Sequence, residues 1–196
     1  SVNAGTGTIT LRPSQASTQI ELGTGAANFS VDAAEAQRLA ASKIVIGSST
    51  QAANLVVVGA VNFSNLTAGG QLQLVTSTGT IRFNDVLTSP ANVRVDTTAG
   101  GTSSGNIHFN GAGGISAAGQ DVILVTRDNA TATAGAIDVL AGSATNVLAA
   151  SLNINTGGGI GNTQTLKTEV STLQALVTAG SVQWDAANAS RTHTVW

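Results

Sequence analysis

Short segments in which apolar and polar residues alternate recur along almost the whole chain, and this repetition constrains the fold more than any other feature. Each segment has four or five residues, and stretches rich in Gly, Ser or Thr separate it from the next. Alternation with a period of two is typical of a β-strand with one buried face. The segments occupy residues 8–11, 19–22, 43–46, 54–58, 71–75, 80–83, 92–95, 106–109, 121–125, 136–140, 151–154 and 181–184.

The composition agrees with a fold made of such strands. Apolar residues make up 42% of the chain, which is enough for a continuous core and too many for a disordered chain. Charged residues make up only 9%, whereas the helices of an α/β enzyme normally carry many Lys, Glu and Arg. We therefore predict an all-β protein whose surface is hydrated mainly by hydroxyl and amide groups.

The spacing of the strands favours a right-handed parallel β-helix over an antiparallel sandwich. The strands that begin at Ile107, Val122, Ile137 and Leu152 follow one another at intervals of 15 residues. A sandwich favours tight Asn-Gly or Asp-Gly hairpins, whereas the single Asn-Gly, at residues 110–111, opens a glycine-rich stretch. The sequence therefore predicts one β-helical segment over residues 1–196, with short irregular or helical turns. Two strands per coil correspond to roughly 20–25 residues per coil, and hence to about eight or nine coils.

Three stretches depart from the strand pattern. Asp32 is followed three residues later by Glu35, which is the spacing of a helix capping box, and the Ala-rich run over residues 33–41 suits a short helix. Residues 165–176 place apolar side chains at helical spacing, but a bent strand fits them equally well. Residues 186–196 are more polar and are a candidate cap or junction to a next unit.

Charge and residue usage disfavour several classes of function. The formal net charge is −2, and the 8 Lys and Arg residues are scattered singly, so we expect no nucleic-acid binding. The longest apolar runs, such as residues 55–60, are far too short to cross a bilayer, so we expect no membrane insertion. The chain has no Cys, which removes disulfides and thiolate metal sites. It also has no Met, and we expect it to be a processed part of a longer protein.

Acidic residues and histidines are the candidates for chemistry, because some β-helices cleave polysaccharides with carboxylates or bind calcium on neighbouring coils. The acidic candidates are Asp85, Asp96, Asp121, Asp128 and Asp138. They form no cluster in the sequence, and we interpret them as solvated residues of turns or outward strand positions. His108 and His193 are far apart and are interpreted as surface histidines. We therefore predict no enzyme, and assign no catalytic residue, metal ligand or cofactor site.

Several motifs resemble repeats of filamentous-haemagglutinin-type exoproteins, the large adhesins exported by two-partner secretion. Gly-Ala-Ile-Asp-Val at residues 135–139 is one, and Gly-Gly-Ile-Gly at 158–161, followed by Thr-Glu-Val-Ser-Thr-Leu at 168–173, is the most specific. Ile-Thr-Leu-Arg at 9–12 and Ile-Val-Ile-Gly at 44–47 have the same texture. The resemblance covers most of residues 7–183. It implies a giant secreted protein that forms a thin fibre at a Gram-negative-type cell surface and serves in attachment, biofilm cohesion or display of a terminal toxin.

Two hypotheses about function follow. The first is a non-enzymatic structural or adhesive shaft of an extracellular or cell-surface fibre, whose segments or copies stack end to end through open strand edges. Its polar outer faces would contact host-cell or surface glycans. The alternative is a carbohydrate-active β-helix or a phage-type fibre. An acidic groove would favour the alternative, and a uniform Ser, Thr and Asn surface would favour the shaft.

Overall fold

The computed structural model describes residues 1–25, 27–99, 104–127, 135–142 and 145–186, together with the backbone of residues 192–195. Strands account for 58% of the chain and helix for 2%, so the predicted all-β class is confirmed. The strands form parallel sheets in a repeat-like arrangement, which fits the architecture of a β-helix.

The described elements follow one another as eighteen strands and one short helix. In chain order they are β1 Val2–Leu11, β2 Ile20–Gly23, β3 Phe29–Asp32, α1 Ala33–Ala36, β4 Leu39–Gly47, β5 Leu55–Val57, β6 Val61–Asn62, β7 Leu66–Val75, β8 Ile81–Phe83, β9 Val86–Thr88, β10 Asn92–Asp96, β11 Ile107–Asn110, β12 Gly114–Val125, β13 Ile137–Ala141, β14 Val147–Thr156, β15 Leu166–Glu169, β16 Thr172–Val177, β17 Trp184–Ala186 and β18 Thr192–Val195.

Two parallel sheets contain these strands over the described ranges. The larger has the main order β1-β4-β7-β10-β12-β14-β15-β17, and the smaller has the order β13-β11-β8-β5-β2-β3. The chain runs from a strand of the larger sheet to a strand of the smaller sheet and then returns to the next strand of the larger sheet. We call one such circuit a pass. Ile44 therefore lies opposite Leu72, which in turn lies opposite Val93. Because each pass stacks on the previous one, contacts along the chain are mostly between neighbouring passes.

A pass of the chain contains more strands than the two that the sequence predicted. Between β7 and β10 the chain forms both β8 and β9. The first part of β12, residues 114–116, pairs with β9, whereas its second part, residues 122–125, pairs with β10. Strand β9 has three residues, too few to show an alternating pattern. The intervals between partners in neighbouring passes also vary, and some exceed the expected length: 26 residues for Asn54 and Thr80 and 30 for Asn106 and Ala136.

The predicted capping box is confirmed, but the helix is shorter than expected. Asp32 Oδ1 accepts a hydrogen bond from the Glu35 backbone N–H at 2.7 Å, and Glu35 Oε2 accepts one from the Asp32 N–H at 3.0 Å. The helix ends at Ala36, and β4 begins at Leu39. Leu39 and Ala41 are buried in the core from this strand, so pairing with β1 and β7 replaces the helix that local propensity favoured.

Two segments near the C-terminal end are also decided by the structure. Residues 165–176 form strands β15 and β16, which are separated by Val170 and Ser171, so the bent strand is correct. In the predicted strand 181–184, Val182 makes only an isolated bridge to Ile160, and β17 begins at Trp184. Ala186 belongs to β17 and the backbone of β18 pairs with β16, whereas residues 187–191 and 196 lie outside the described residues.

Aliphatic and phenylalanine side chains stack in columns through the core. One column runs from β1 to β16 and is formed by Ile9, Ile44, Leu72, Val93, Val122, Leu152 and Leu173. Phe83 and Phe109 occupy equivalent positions on β8 and β11, and their rings stack with centroids 5.2 Å apart. The predicted inward position of alternate residues is thereby confirmed for most strands.

A column of buried threonines forms one corner of the fold. Thr76, Thr97, Thr126 and Thr156 have no exposed surface, although their residue type was expected at the surface. Three of the hydroxyls donate to the carbonyls of Gly79, Gly105 and Gly135 at 2.6, 2.8 and 2.7 Å. Because these bonds replace those to water, the threonines join the core without the cost of unsatisfied polar groups.

Asparagine side chains connect neighbouring passes at the starts of strands. The Oδ1 atoms of Asn54, Asn92, Asn106 and Asn146 accept hydrogen bonds from the backbone N–H groups of Thr80, Asp121, Ala136 and Lys167, at 2.8 to 3.0 Å. An aliphatic side chain could not satisfy these N–H groups, which explains why asparagine precedes so many strands.

Replacing Asn146 with alanine is expected to lower the free energy of unfolding by about 1–3 kcal/mol, because Asn146 is buried and the Lys167 N–H would lose its acceptor. Chemical denaturation followed by circular dichroism measures the change. Asn153→Ala is the matched control, because Asn153 is exposed and its side chain makes only a 3.4 Å contact with Gln174. Equal losses in the two variants would contradict the assigned role of Asn146.

Candidate functional surfaces

Most of the acidic candidates form local hydrogen bonds on different parts of the fold. Asp85 Oδ1 accepts from the Val86 N–H at 2.7 Å, and Asp121 Oδ1 accepts from the Ser151 hydroxyl at 2.5 Å. The two carboxylate oxygens of Asp138 accept from the Thr163 N–H and hydroxyl at 2.8 and 2.6 Å. Among the described residues, no group of three or more His, Asp or Glu has an arrangement that would hold a metal ion. Asp128 and the side chain of His193 lie outside those residues.

Asp96 differs from its sequence interpretation, because its side chain is only 13% exposed and is therefore not well solvated. Arg94 donates to Asp96 Oδ2 from Nε and from the terminal nitrogen, at 3.1 and 2.6 Å. Thr98 donates to Oδ1 from its N–H and its hydroxyl at 2.8 and 2.7 Å. These four bonds fix the position of the carboxylate and hold the Arg94 guanidinium in one orientation.

The smaller sheet carries a row of ionisable side chains, of which only His108 and Asp138 were candidates from the sequence, each by itself. Arg82 on β8, His108 on β11 and Asp138 on β13 are register partners, so they lie side by side on the outer face. Arg82 Nε and His108 Nδ1 are buried atoms without a hydrogen-bond partner among the described residues. In the sequence, each of the three residues directly follows an inward isoleucine of its strand, namely Ile81, Ile107 and Ile137. This shared position was the signal that could have placed them in one row.

The pKa of His108 lies below the ordinary value for histidine. Burial removes water from the imidazole, the nearby Arg82 charge adds to this effect, and Asp138 opposes it. His108 is thus predominantly neutral at pH 7, and one of its ring nitrogens remains able to accept a hydrogen bond.

We expect the protein to lose stability as the pH falls below about 6.5, the ordinary pKa of histidine. Above that pH the imidazole is neutral in both the folded and unfolded states. Below it, the unfolded chain binds the proton first, because the pKa of His108 is lowered by folding. Thermal melts at pH 7.5, 6.5 and 5.5 should therefore show a smaller decrease in Tm for His108→Gln than for the unaltered chain. Equal decreases would show that His108 does not contribute to the pH dependence.

A groove lies on the outer face of the larger sheet, where β10, β12, β14 and β16 are stacked in this order. A cavity of about 400 Å³ is lined by Arg94, Thr98, Ile123, Val125, Arg127, Asn153 and Asn155. An adjoining cavity of about 240 Å³ shares Asn153 and Asn155 and extends to Gln174 and Leu176. We call these two cavities together the amide groove. Residues Ile123, Asn153 and Gln174 are consecutive register partners, so the amide groove runs across the strands and along the stack.

The end of the stack at β1 and β3 is open and apolar. Within the described residues, β1 pairs only with β4, and β3 pairs only with β2. A cavity of about 360 Å³ lies at this end and is lined in part by Val2, Leu11, Phe29 and Val31. At the other end, Trp184 packs partly buried against the core and donates from Nε1 to the Thr168 hydroxyl at 2.8 Å. Trp196 lies outside the described residues.

Comparison with known proteins shows no related family. No protein-family model matches the chain, and no curated protein or solved structure is significantly similar to it. Over the described ranges, no helix is both long enough and apolar enough to span a membrane.

Proposed function

We propose that the chain is a segment of right-handed parallel β-helix that serves as a non-enzymatic structural or adhesive shaft in an extracellular fibre. The observation that carries this proposal is the uninterrupted column of aliphatic side chains from Ile9 on β1 to Leu173 on β16. A stack of this kind grows in length by adding passes, and each pass is stabilised by its neighbours. Length at constant thickness is what a shaft requires.

The connections between passes support a mechanical role. Backbone hydrogen bonds join each pass to the next, and the asparagine side chains described above add bonds in the same direction. The buried threonines add hydrogen bonds at one corner of the stack. One of these is a 2.7 Å bond between the Thr126 and Thr156 hydroxyls, which belong to neighbouring passes. A force that separates the passes must break many such bonds together.

The open end supports stacking with a neighbouring segment or a second copy. The edges of β1 and β3 are unpaired within the described residues, and unpaired edges readily accept another strand. Leu11 and Phe29 are only partly covered beside these edges, so a further pass would bury them. The extracellular location of the fibre is proposed from the resemblance to filamentous-haemagglutinin-type exoproteins.

Immunogold electron microscopy of the source cells tests the proposal. Antibodies raised against the purified 196-residue chain should label filaments a few nanometres wide outside unpermeabilised cells. Label confined to the cytoplasm would contradict a shaft. A screen of the purified chain on soluble polysaccharides tests the non-enzymatic part, because the release of new reducing ends would favour the carbohydrate-active alternative.

A further inference from the structure

We propose that the amide groove binds a short stretch of an acidic polysaccharide, with a uronate carboxylate beside Arg127 and sugar hydroxyls on Asn153, Asn155 and Gln174. This inference deepens the adhesive part of the proposed function and rests on it, since it names what the shaft would hold.

The floor of the groove suits the apolar face of a sugar ring. Ile123 and Val125 are two residues apart on β12, and both side chains line the larger cavity. In the adjoining cavity, Leu176 continues this surface and is 41% exposed. The C–H groups of a sugar ring would cover the exposed parts of Ile123 and Leu176 and remove them from water.

The amides of the groove suit sugar hydroxyls. Asn153 and Gln174 are register partners, and their side chains approach only to 3.4 Å, which leaves hydrogen-bonding capacity for a ligand. Asn155 Oδ1 is buried and has no hydrogen-bond partner among the described residues. A buried amide oxygen without a donor costs free energy, and a ligand hydroxyl at this position would satisfy it.

The charges of the groove select an anionic ligand. Two arginines, Arg94 and Arg127, line the larger cavity, and no carboxylate is among the described residues that line it. The guanidinium of Arg94 is bonded to the Asp96 carboxylate, which offsets part of its charge and holds it in one orientation. Arg127 therefore makes the larger contribution to the recognition of a carboxylate, with which a guanidinium forms paired hydrogen bonds.

The direction of the groove suits a linear chain. It crosses β10, β12, β14 and β16, and three strand spacings of about 4.8 Å give a length of about 14 Å. An oligosaccharide in this position would lie along the stack and parallel to the shaft. The neighbouring Asp96 is bonded to Arg94 and Thr98, so it is occupied rather than free to act as an acid or base.

Titration of the full chain with trigalacturonic acid tests the proposal, and its fully methyl-esterified form serves as the uncharged probe. We expect saturable binding of the acid, measured by calorimetry, and binding of the ester that is weaker by about tenfold. In ¹⁵N-labelled protein, the side-chain amide signals of Asn153, Asn155 and Gln174 should shift on binding. The absence of saturable binding, equal binding of the ester, or shortening of the oligomer during the titration would overturn the proposal.

Three variants separate the site from general charge effects. Arg127→Gln should weaken binding by about tenfold, and Asn155→Ala should weaken it by about threefold or more. Arg12→Gln makes the same change of charge at an exposed residue after β1 and should leave binding within about twofold of the unaltered chain. Equal weakening by Arg127→Gln and Arg12→Gln would overturn the site. If immunogold microscopy shows labelled filaments but the purified chain does not bind trigalacturonic acid, the proposed uronate site is wrong and the proposed shaft function still stands.

Discussion

Replacing Phe109 with alanine is expected to lower the free energy of unfolding by about 3–5 kcal/mol, the largest effect of a single substitution that we predict. Phe109 has no exposed surface, and its ring stacks on Phe83 with 5.2 Å between centroids at an interplanar angle of 15°. Alanine would leave a cavity beside β11, which pairs with β8 on one side and with β13 on the other. These strands cannot move together to fill the cavity without breaking the backbone hydrogen bonds between them. Urea denaturation followed by circular dichroism measures the loss.

Phe29→Ala is the matched control for this prediction. Phe29 is partly buried, and its side chain lines the cavity at the open end of the stack. The same atoms are removed there, but water already reaches the position and less apolar contact is lost. A loss from Phe29→Ala equal to that from Phe109→Ala would show that the stacked phenylalanines contribute no more than an end position.

Gly105→Ala is expected to lower the free energy of unfolding by about 3 kcal/mol, at the upper end of the range for overpacking. A Cβ atom at Gly105 would lie 2.2 Å from the Gly79 carbonyl oxygen and 2.5 Å from its carbon. Because the obstacle is the backbone of the neighbouring pass, no side chain can move aside. The two passes would have to separate at the corner where the Thr97 hydroxyl is bonded to the Gly105 carbonyl.

Gly119→Ala is the control for Gly105→Ala. A Cβ atom at Gly119 would have nothing within 4 Å, and the cost arises only from its φ of 75°. A change of about 1 kcal/mol is expected there. Asparagine tolerates this backbone region, so Gly119→Asn should recover part of the loss, whereas Gly105→Asn should be worse than Gly105→Ala. Recovery by asparagine at both positions would refute the steric explanation for Gly105.

Most of the strands could be predicted because the information that defines them is local. In the segment from Asn92 to Val95, for example, every second side chain enters the core, and the pattern is visible without any knowledge of the neighbours. The capping box of Asp32 and Glu35 was likewise visible, because both partners lie within one helical turn. The end of that helix was not, since β4 begins at Leu39 through pairing with Val2 of β1, which lies far away in the sequence.

The candidate surfaces were harder to predict because their residues are distant in the sequence. Arg94, Ile123 and Asn153 become neighbours only when three passes of variable length are aligned in register. The same applies to Arg82, His108 and Asp138 on the smaller sheet. A shift of a single residue in any pass would move these side chains to the opposite face of their strand.

By itself, the sequence determined the all-β class and which side chains of most strands face the core, because both follow from a period of two within single strands. The tertiary structure decided the order of the strands, the third strand of a pass, the burial of Thr76, Thr97, Thr126 and Thr156, and the composition of the amide groove. The physical reason is that these features depend on pairing between residues about twenty to thirty positions apart. The turns set that register, and their lengths follow no fixed repeat.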